Sequence, residues 1–146
     1  SNDKFVHLLQ FLDEMSAGFA RARANSRAIM VGDLNVAPLE NDVWSHRQLL
    51  DVVSHTPVET DGLKRILAEG KFTDIARAKH RPEEKLYTWW SYRAADWTLA
   101  DRGRRLDHIW VSRALKDGIS DFRITRDARG WERPSDHVPV TVTLEV

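Results

Sequence analysis

Over the first 24 residues the apolar side chains Phe5, Leu8, Leu9, Leu12, Met15 and Phe19 recur at intervals of three and four. That spacing returns to one side of a helix each turn, so it predicts an amphipathic helix over about residues 4–24, packed by one face on a sheet. The period then changes. "AIMVG" (28–32) is a continuous apolar run, too short for a helix and preceded by polar "ANSR", and it predicts a strand covered on both faces. Residues 37–59 are irregular and hold two prolines, which predicts a long loop carrying about two helical turns. "TDGLKRILAEGK" then offers Thr60 or Asp61 as a cap, Leu63, Ile66 and Leu67 as a stripe and Gly70 as a stop, a helix over about 61–69. "FTDIAR" follows as a turn or short helix. "LYTWWSYR" (86–93) and "RLDHIWVS" (105–112), rich in aromatic and β-branched residues, predict a strand pair, and "DFRITRDA" (121–128) a further strand. "VPVTVTLEV" (138–146) alternates, with Val138, Val140, Val142, Leu144 and Val146 on one face, and predicts a half-buried strand. Helix, strand, helix and short strands in this order predict a layered α/β fold. There is no internal repeat or low-complexity linker.

Composition narrows the picture. A chain of 146 residues predicts one domain, able to bury roughly 70% of its unfolded surface. No apolar stretch approaches the ~20 residues that span a bilayer, so no membrane role is expected. The absence of cysteine excludes disulfides, zinc–thiolate sites and cysteine nucleophiles; it is compatible with a reducing compartment, and the cytoplasm is the expected location. Charges interrupt the N-terminal apolar residues, so no signal peptide is read there. The missing initiator methionine fits a piece of a longer chain, with Ser1 and Asn2 as an expression remnant.

The formal net charge is zero, which argues against a protein that blankets nucleic acid. Its distribution is uneven. Residues 1–76 carry 8 basic and 11 acidic side chains, residues 77–105 carry 8 and 4, and residues 106–146 carry 6 and 7. A local basic excess suits a groove for a phosphate backbone, although a solvated charged loop has the same composition.

Acidic and histidine side chains sit beside strands in three places: "GDLN" after residues 28–32, "RLDHI" within 105–112 and "SDH" before the last strand. "GDLN" alone also reads as a turn, since Asp and Asn are common turn formers. Asp107 inside an apolar strand is harder to explain, because a buried carboxylate costs several kcal/mol unless paired. Its candidate partner is His137 or an arginine. A carboxylate would fix the imidazole's tautomer and favour its charged form, an arrangement suited to phosphate chemistry. Asp33 and Asp136 offer oxygens to a hard cation such as Mg2+.

"GDLN", "YTWWSYR" with "RGRRLDHI", and "SDH" before a final strand resemble, in order and spacing, the C-terminal motifs of the endonuclease/exonuclease/phosphatase superfamily, most closely its exonuclease III type AP endonucleases. The resemblance covers essentially the whole chain. It implies an α/β fold that is half of a four-layer α/β sandwich, with a mainly antiparallel or mixed sheet and helices on its outer face. Residues 1–146 would form a single domain, the C-terminal half of the catalytic domain, because the family's N-terminal motifs have no counterpart before Lys4. The implied activity is metal-dependent phosphodiester hydrolysis in DNA repair: cleavage beside abasic sites, 3′ to 5′ exonuclease and 3′-phosphatase action, with Mg2+ as cofactor and Mn2+ as a substitute. Asp33 would orient or deprotonate the attacking water, Asn35 hold nucleophile and phosphate, Asp107 support His137, and His137 contact the scissile phosphate. Asp33, Asn35 and Asp136 would be metal-associated. Trp89, Arg93, Trp97 and Arg102 would contact double-stranded DNA at abasic sites or 3′ ends, although one of Trp89 and Trp90 must face the core of a strand. The missing half implies weak or absent activity in this chain and an open apolar sheet face favouring a homodimer. The alternatives are a relative acting on RNA, inositol phosphates or phospholipid, and a non-catalytic dimerising module.

Overall fold

The structure is a computed structural model and describes residues 2–20 and 26–145. In chain order it comprises α1 (Asn2–Ala20), β1 (Ile29–Asp33), a 3-10 turn (Glu40–Asp42), α2 (His46–Leu49), α3 (Pro57–Glu69), β2 (Phe72–Asp74) and α4 (Ile75–Ala78). There follow β3 (Trp89–Trp90), α5 (Trp97–Ala100), β4 (Gly103–Arg104), β5 (Asp107–Ser112), α6 (Arg113–Lys116), β6 (Ile119–Ile124), a 3-10 turn (Arg126–Gly130) and β7 (Val140–Leu144). Residues 21–24 of the expected first helix, the side chain of Phe19, and Val146 lie outside the described residues.

The central strand is β5, flanked by β1 and β2 in the order β1-β5-β2, both pairs antiparallel. Its side chains alternate between two cores. Trp110 faces a helical layer, where it packs with Leu12 of α1, Leu63 and Ile66 of α3, and Leu34 and Val36; Leu8, Leu9 and Met15 join them. The stripe on α1 therefore meets α3 as well as the sheet. Ile109 and Val111 face the other way, into a cluster with Ile75, Leu115 and Ile119 that is packed by Phe122, Val140, Val142 and Leu144 of the antiparallel β6–β7 ribbon. Helices, sheet and ribbon form successive layers.

Three expectations are corrected. Strand β1 is covered on one face only: Ile29 and Val31 are 46% and 64% exposed, because β1 is a sheet edge lying beyond the ribbon that covers β5. Residues 86–93 and 105–112 are not a strand pair; β3 pairs with β4, and both edges of β5 are taken by β1 and β2. Helix α3 begins at Pro57 rather than near 61, with Thr56 at the N-cap position. The signal was present as "TPVE": proline suits the first helical position, and Thr56 donates at 2.7 Å to Glu59, whose carboxylate also accepts from the Ser54 amide.

A buried ion network anchors the loop after β1. Arg105, fully buried, makes paired hydrogen bonds to Asp42 (2.8 and 2.9 Å) and to Asp74 (both 2.8 Å), and Arg77 adds a 2.6 Å contact to Asp42. Burial opposes the charges on Asp42 and Arg105, but each partner's field outweighs it: Asp42 is held below the usual carboxylate range and Arg105 above its ordinary value. Glycine is required at 103, where a Cβ would lie 2.4 Å from the Tyr87 ring.

Candidate active site

The antiparallel register sets Asp33 directly opposite Asp107 at the ends of β1 and β5. Like charges so placed repel. Residue alternation puts both on the face carrying Ile109 and Val111. Beyond them, residue 89 bridges to 137 and the Val138 amide donates to the Thr88 carbonyl at 2.9 Å, which swings His137 over the pair. His137 Nδ1 donates to Asp107 Oδ2 at 2.8 Å, and its Nε2 lies 3.7 Å from Asp33 Oδ2. The imidazole thus separates the two carboxylates.

Thr88, not anticipated from the sequence, completes the support of Asp107. Its hydroxyl donates to Asp107 Oδ2 at 2.6 Å and accepts from the amides of Leu106 and Asp107. It was legible only as the residue before the paired tryptophans. The Asn35 amide donates to Asp33 Oδ1 at 2.9 Å, from a left-handed backbone (φ 53°) that Asn tolerates better than most residues. Asp136 lies at the edge of this cluster, near enough for its charge to act on Asp33 and His137, and accepts the Trp89 indole N–H at 3.0 Å on Oδ2.

Electrostatics follow from this crowding. Burial raises the Asp33 carboxyl above its ordinary value; the Asn35 amide opposes this, the Asp107 and Asp136 charges add to it, and His137 opposes it. Burial works against a charge on His137, but the hydrogen bond and charge of Asp107, with the fields of Asp33 and Asp136, raise it above its ordinary value. A half-exposed cluster with excess negative charge suits a cation. Asp33, Asp107 and His137 each place a ligand atom within 4.8 Å of the others, and carboxylate oxygens suit a hard divalent ion. Of the three, Asp33 is the carboxylate least engaged with the protein and fits such an ion best, whereas His137 spends its Nδ1–H on Asp107 and suits a hydrogen-bond donor rather than a ligand.

Next to the cluster lies an open cavity of about 970 Å³, lined by Trp44, Trp89, Trp97, Arg93, Arg102 and Arg104 among others. All four expected substrate residues line it. Both Trp89 and Trp90 border it, but Trp90 is 2% exposed and packs in the core with Tyr87, Ala128 and Val138, so Trp89 is the more accessible of the two. Arginines cover the rings: Arg102 over Trp44 at 4.7 Å, Arg104 over Trp89 at 5.2 Å, and Arg126 over Trp97 at 4.8 Å. Trp44 and Arg126 were not anticipated, because they lie outside the basic stretch, and Arg104, though inside it, carried no local signal that set it apart from its neighbouring arginines. Among the described residues no helix is long and apolar enough to cross a membrane.

The antiparallel α/β layers thus set an Asp–His pair beside an arginine–tryptophan cavity. The model of the Endonuclease/Exonuclease/phosphatase family matches residues 8–137, and the chain belongs to that family. It is 36% identical to an exodeoxyribonuclease of Bacillus subtilis over 81% of this chain and 44% of the relative, and 34% identical to the DNA repair nuclease APEX1 of Danio rerio over 84% and 38%. Among solved structures, an AP endonuclease from Archaeoglobus fulgidus superposes with a TM-score of 0.87 at 32% identity, over 94% of this chain and 53% of that one. These relatives are named as an exodeoxyribonuclease, a DNA repair nuclease and an AP endonuclease, and the chain is similar to them over most of its own length. The chain spans about half or less of their lengths.

Proposed function

We propose that this chain is the C-terminal half of an exonuclease III-like catalytic domain and supplies part of a Mg2+-dependent (or Mn2+-dependent) centre that hydrolyses phosphodiesters at abasic sites and 3′ ends of duplex DNA. The observation that carries the reading is the Asp33–His137–Asp107 cluster, open to solvent beside the tryptophan-lined cavity. Hydrolysis needs a water aligned with the leaving oxygen, a group to take its proton, and positive charge where phosphorane oxygens develop. Asp33, with its raised affinity for a proton, suits the orienting or base role. His137, charged and held by Asp107 and Thr88, suits the developing negative oxygens, and Asn35 adds an amide at the rim. A bound Mg2+, held by Asp33 with Asn35 and Asp136, would add Lewis acidity. DNA is favoured over inositol phosphates or lipids because flat indoles beside arginines suit an unpaired or missing base flanked by phosphates. The reading includes a cytoplasmic setting.

Duplex DNA carrying a tetrahydrofuran abasic analogue, incubated with the chain and Mg2+, should be bound in preference to intact duplex and cut slowly if at all. Asp33→Ala should remove any residual cutting. Cutting as fast as a complete exonuclease III-type enzyme would refute the half-site reading; preference for an inositol phosphate or RNA would refute the DNA reading. The open face of β1, carrying Ile29 and Val31, continues the interface between β5 and the β6–β7 ribbon. A second copy seated there would form a homodimer, which a monodisperse monomer in light scattering at high concentration would exclude.

A further inference from the structure

We propose that Trp89 is a positioning residue that couples the cavity to the cation site: its ring forms the cavity wall while its indole N–H holds Asp136 at the rim. This deepens the reading of the chain as a metal-dependent nuclease and rests on it.

The neighbouring tryptophans both border the cavity and differ in burial and in indole partner. Trp90 is buried and donates its indole N–H to Asp101, a contact within its own hairpin. Trp89 lines the cavity, with Arg104 over its ring, and donates 47 residues along the chain to Asp136 Oδ2 at 3.0 Å. The backbone keeps donor and acceptor in register, because the Trp90 amide donates to the Asp136 carbonyl at 3.0 Å and residue 89 bridges to 137. Among the described residues no protein donor reaches the other carboxylate oxygen, Oδ1, which leaves it free for a cation. The negative charge of Asp136 is felt at both Asp33 and His137.

A phenylalanine would supply a similar apolar wall but no donor. The indole is thus what ties the substrate surface to the metal-associated carboxylate, and a sugar or base pressed against the ring acts on Asp136 through one hydrogen bond. Removing an outer hydrogen-bond partner of a metal ligand lowers metal affinity by about 10–100-fold in general.

The test uses the chain as it is, labelled with 15N. The Trp89 indole resonance, assigned from its loss in Trp89→Phe, should shift during Mg2+ titration while that of Trp110, buried in the helical core, stays. Asp136→Ala should move the metal-free Trp89 resonance and abolish its Mg2+ response. Mn2+ affinity, read by water-proton relaxation, should fall roughly tenfold in Trp89→Phe, at the low end of the outer-partner range. Binding of abasic duplex in EDTA should fall more in Trp89→Ala than in Trp89→Phe, and equal thermal melting of Trp89→Phe and wild type would exclude misfolding. Amides of Asp33 and Asp107 that respond to Mg2+ while the Trp89 indole does not would overturn the coupling and spare the nuclease reading. No response at any site, with no Mn2+ binding by the wild type, would overturn both.

Discussion

Two clusters of carboxylates and cations meet at the start of strand β5, one around Arg105 just before it and one around Asp107, its first residue, and differ in nearly every respect. Around Arg105, Asp42 and Asp74 occupy the guanidinium with four hydrogen bonds, Arg105 and Asp42 being fully buried. Around His137, Asp107 is satisfied, but Asp33 stands 3.7 Å off and partly in solvent, with Asp136 adding further negative charge nearby. The first is saturated and balanced by Arg77; the second keeps unspent acceptors and excess charge. Saturation with burial marks ion pairs that hold the loop and strand in place, whereas open valence at a rim marks groups available to a ligand.

Deleting one carboxylate from each cluster should separate their roles most clearly. Asp42→Ala should cost about 3–5 kcal/mol, because Arg105 is left buried without its main partner. Asp33→Ala should change stability by no more than about 0.5 kcal/mol, as expected for a partly exposed group whose neighbours include like charges. Urea unfolding of both variants at neutral pH measures the difference. Equal losses would mean that the His137 cluster is as structural as the buried one.

Acid should separate the two regions next. His108, one residue past Asp107, points into the buried side: its Nε2 lies 2.7 Å from the Val36 carbonyl, and its Nδ1 lies 3.4 Å from Arg105. Burial, with Arg105 beside it, pushes it down to about 4, so it folds as the neutral Nε2–H tautomer. The unfolded imidazole takes up a proton near 6.5, which the folded one resists until about 4, so stability is full above 6.5 and declines as pH falls through that window. The loss should approach roughly 3 kcal/mol. Unfolding measured at pH 7 and near 4.5, in wild type and His108→Gln, tests it; an unchanged slope in the variant would assign the acid sensitivity elsewhere.

The comparison also explains what was legible in the sequence. Asp33, Asp107 and His137 could be read because each interrupts or terminates an apolar strand, where a polar side chain needs a reason. Trp89 and Trp90 could be placed on opposite faces by alternation, with only their assignment left open. Thr88, Arg104 and the Asp42–Arg105–Asp74 network could not, since their meaning lies in partners 19 to 63 residues away and no local pattern encodes that distance. The pairing of β5 was misplaced for the same reason: propensity identifies a strand but not its neighbours. Strand β1 was expected to be covered on both sides because its run is uniformly apolar, but composition does not say which strand lies at a sheet edge, where Ile29 and Val31 are left exposed.

The smallest effect concerns the exposed pair itself. Against burial, Asp107 and the charges of Asp33 and Asp136 raise His137 above 6.5, so its imidazolium should persist to higher pH than in an unstructured peptide. Asp107→Asn removes the leading favourable partner, and the NMR titration midpoint of His137 should fall, with burial then free to pull it toward or below 6.5. The sign for stability is opposite to that of His108. A raised histidine contributes fully below 6.5 and loses its contribution as pH rises through its folded value, so wild type and Asp107→Asn should converge in stability on the alkaline side. Because the pair is partly exposed, solvent screening should limit the difference to less than about 1 kcal/mol. A wild-type midpoint already at or below 6.5 would mean that the pair is not held charged, and the role given to His137 at a phosphorane oxygen would lose its electrostatic basis.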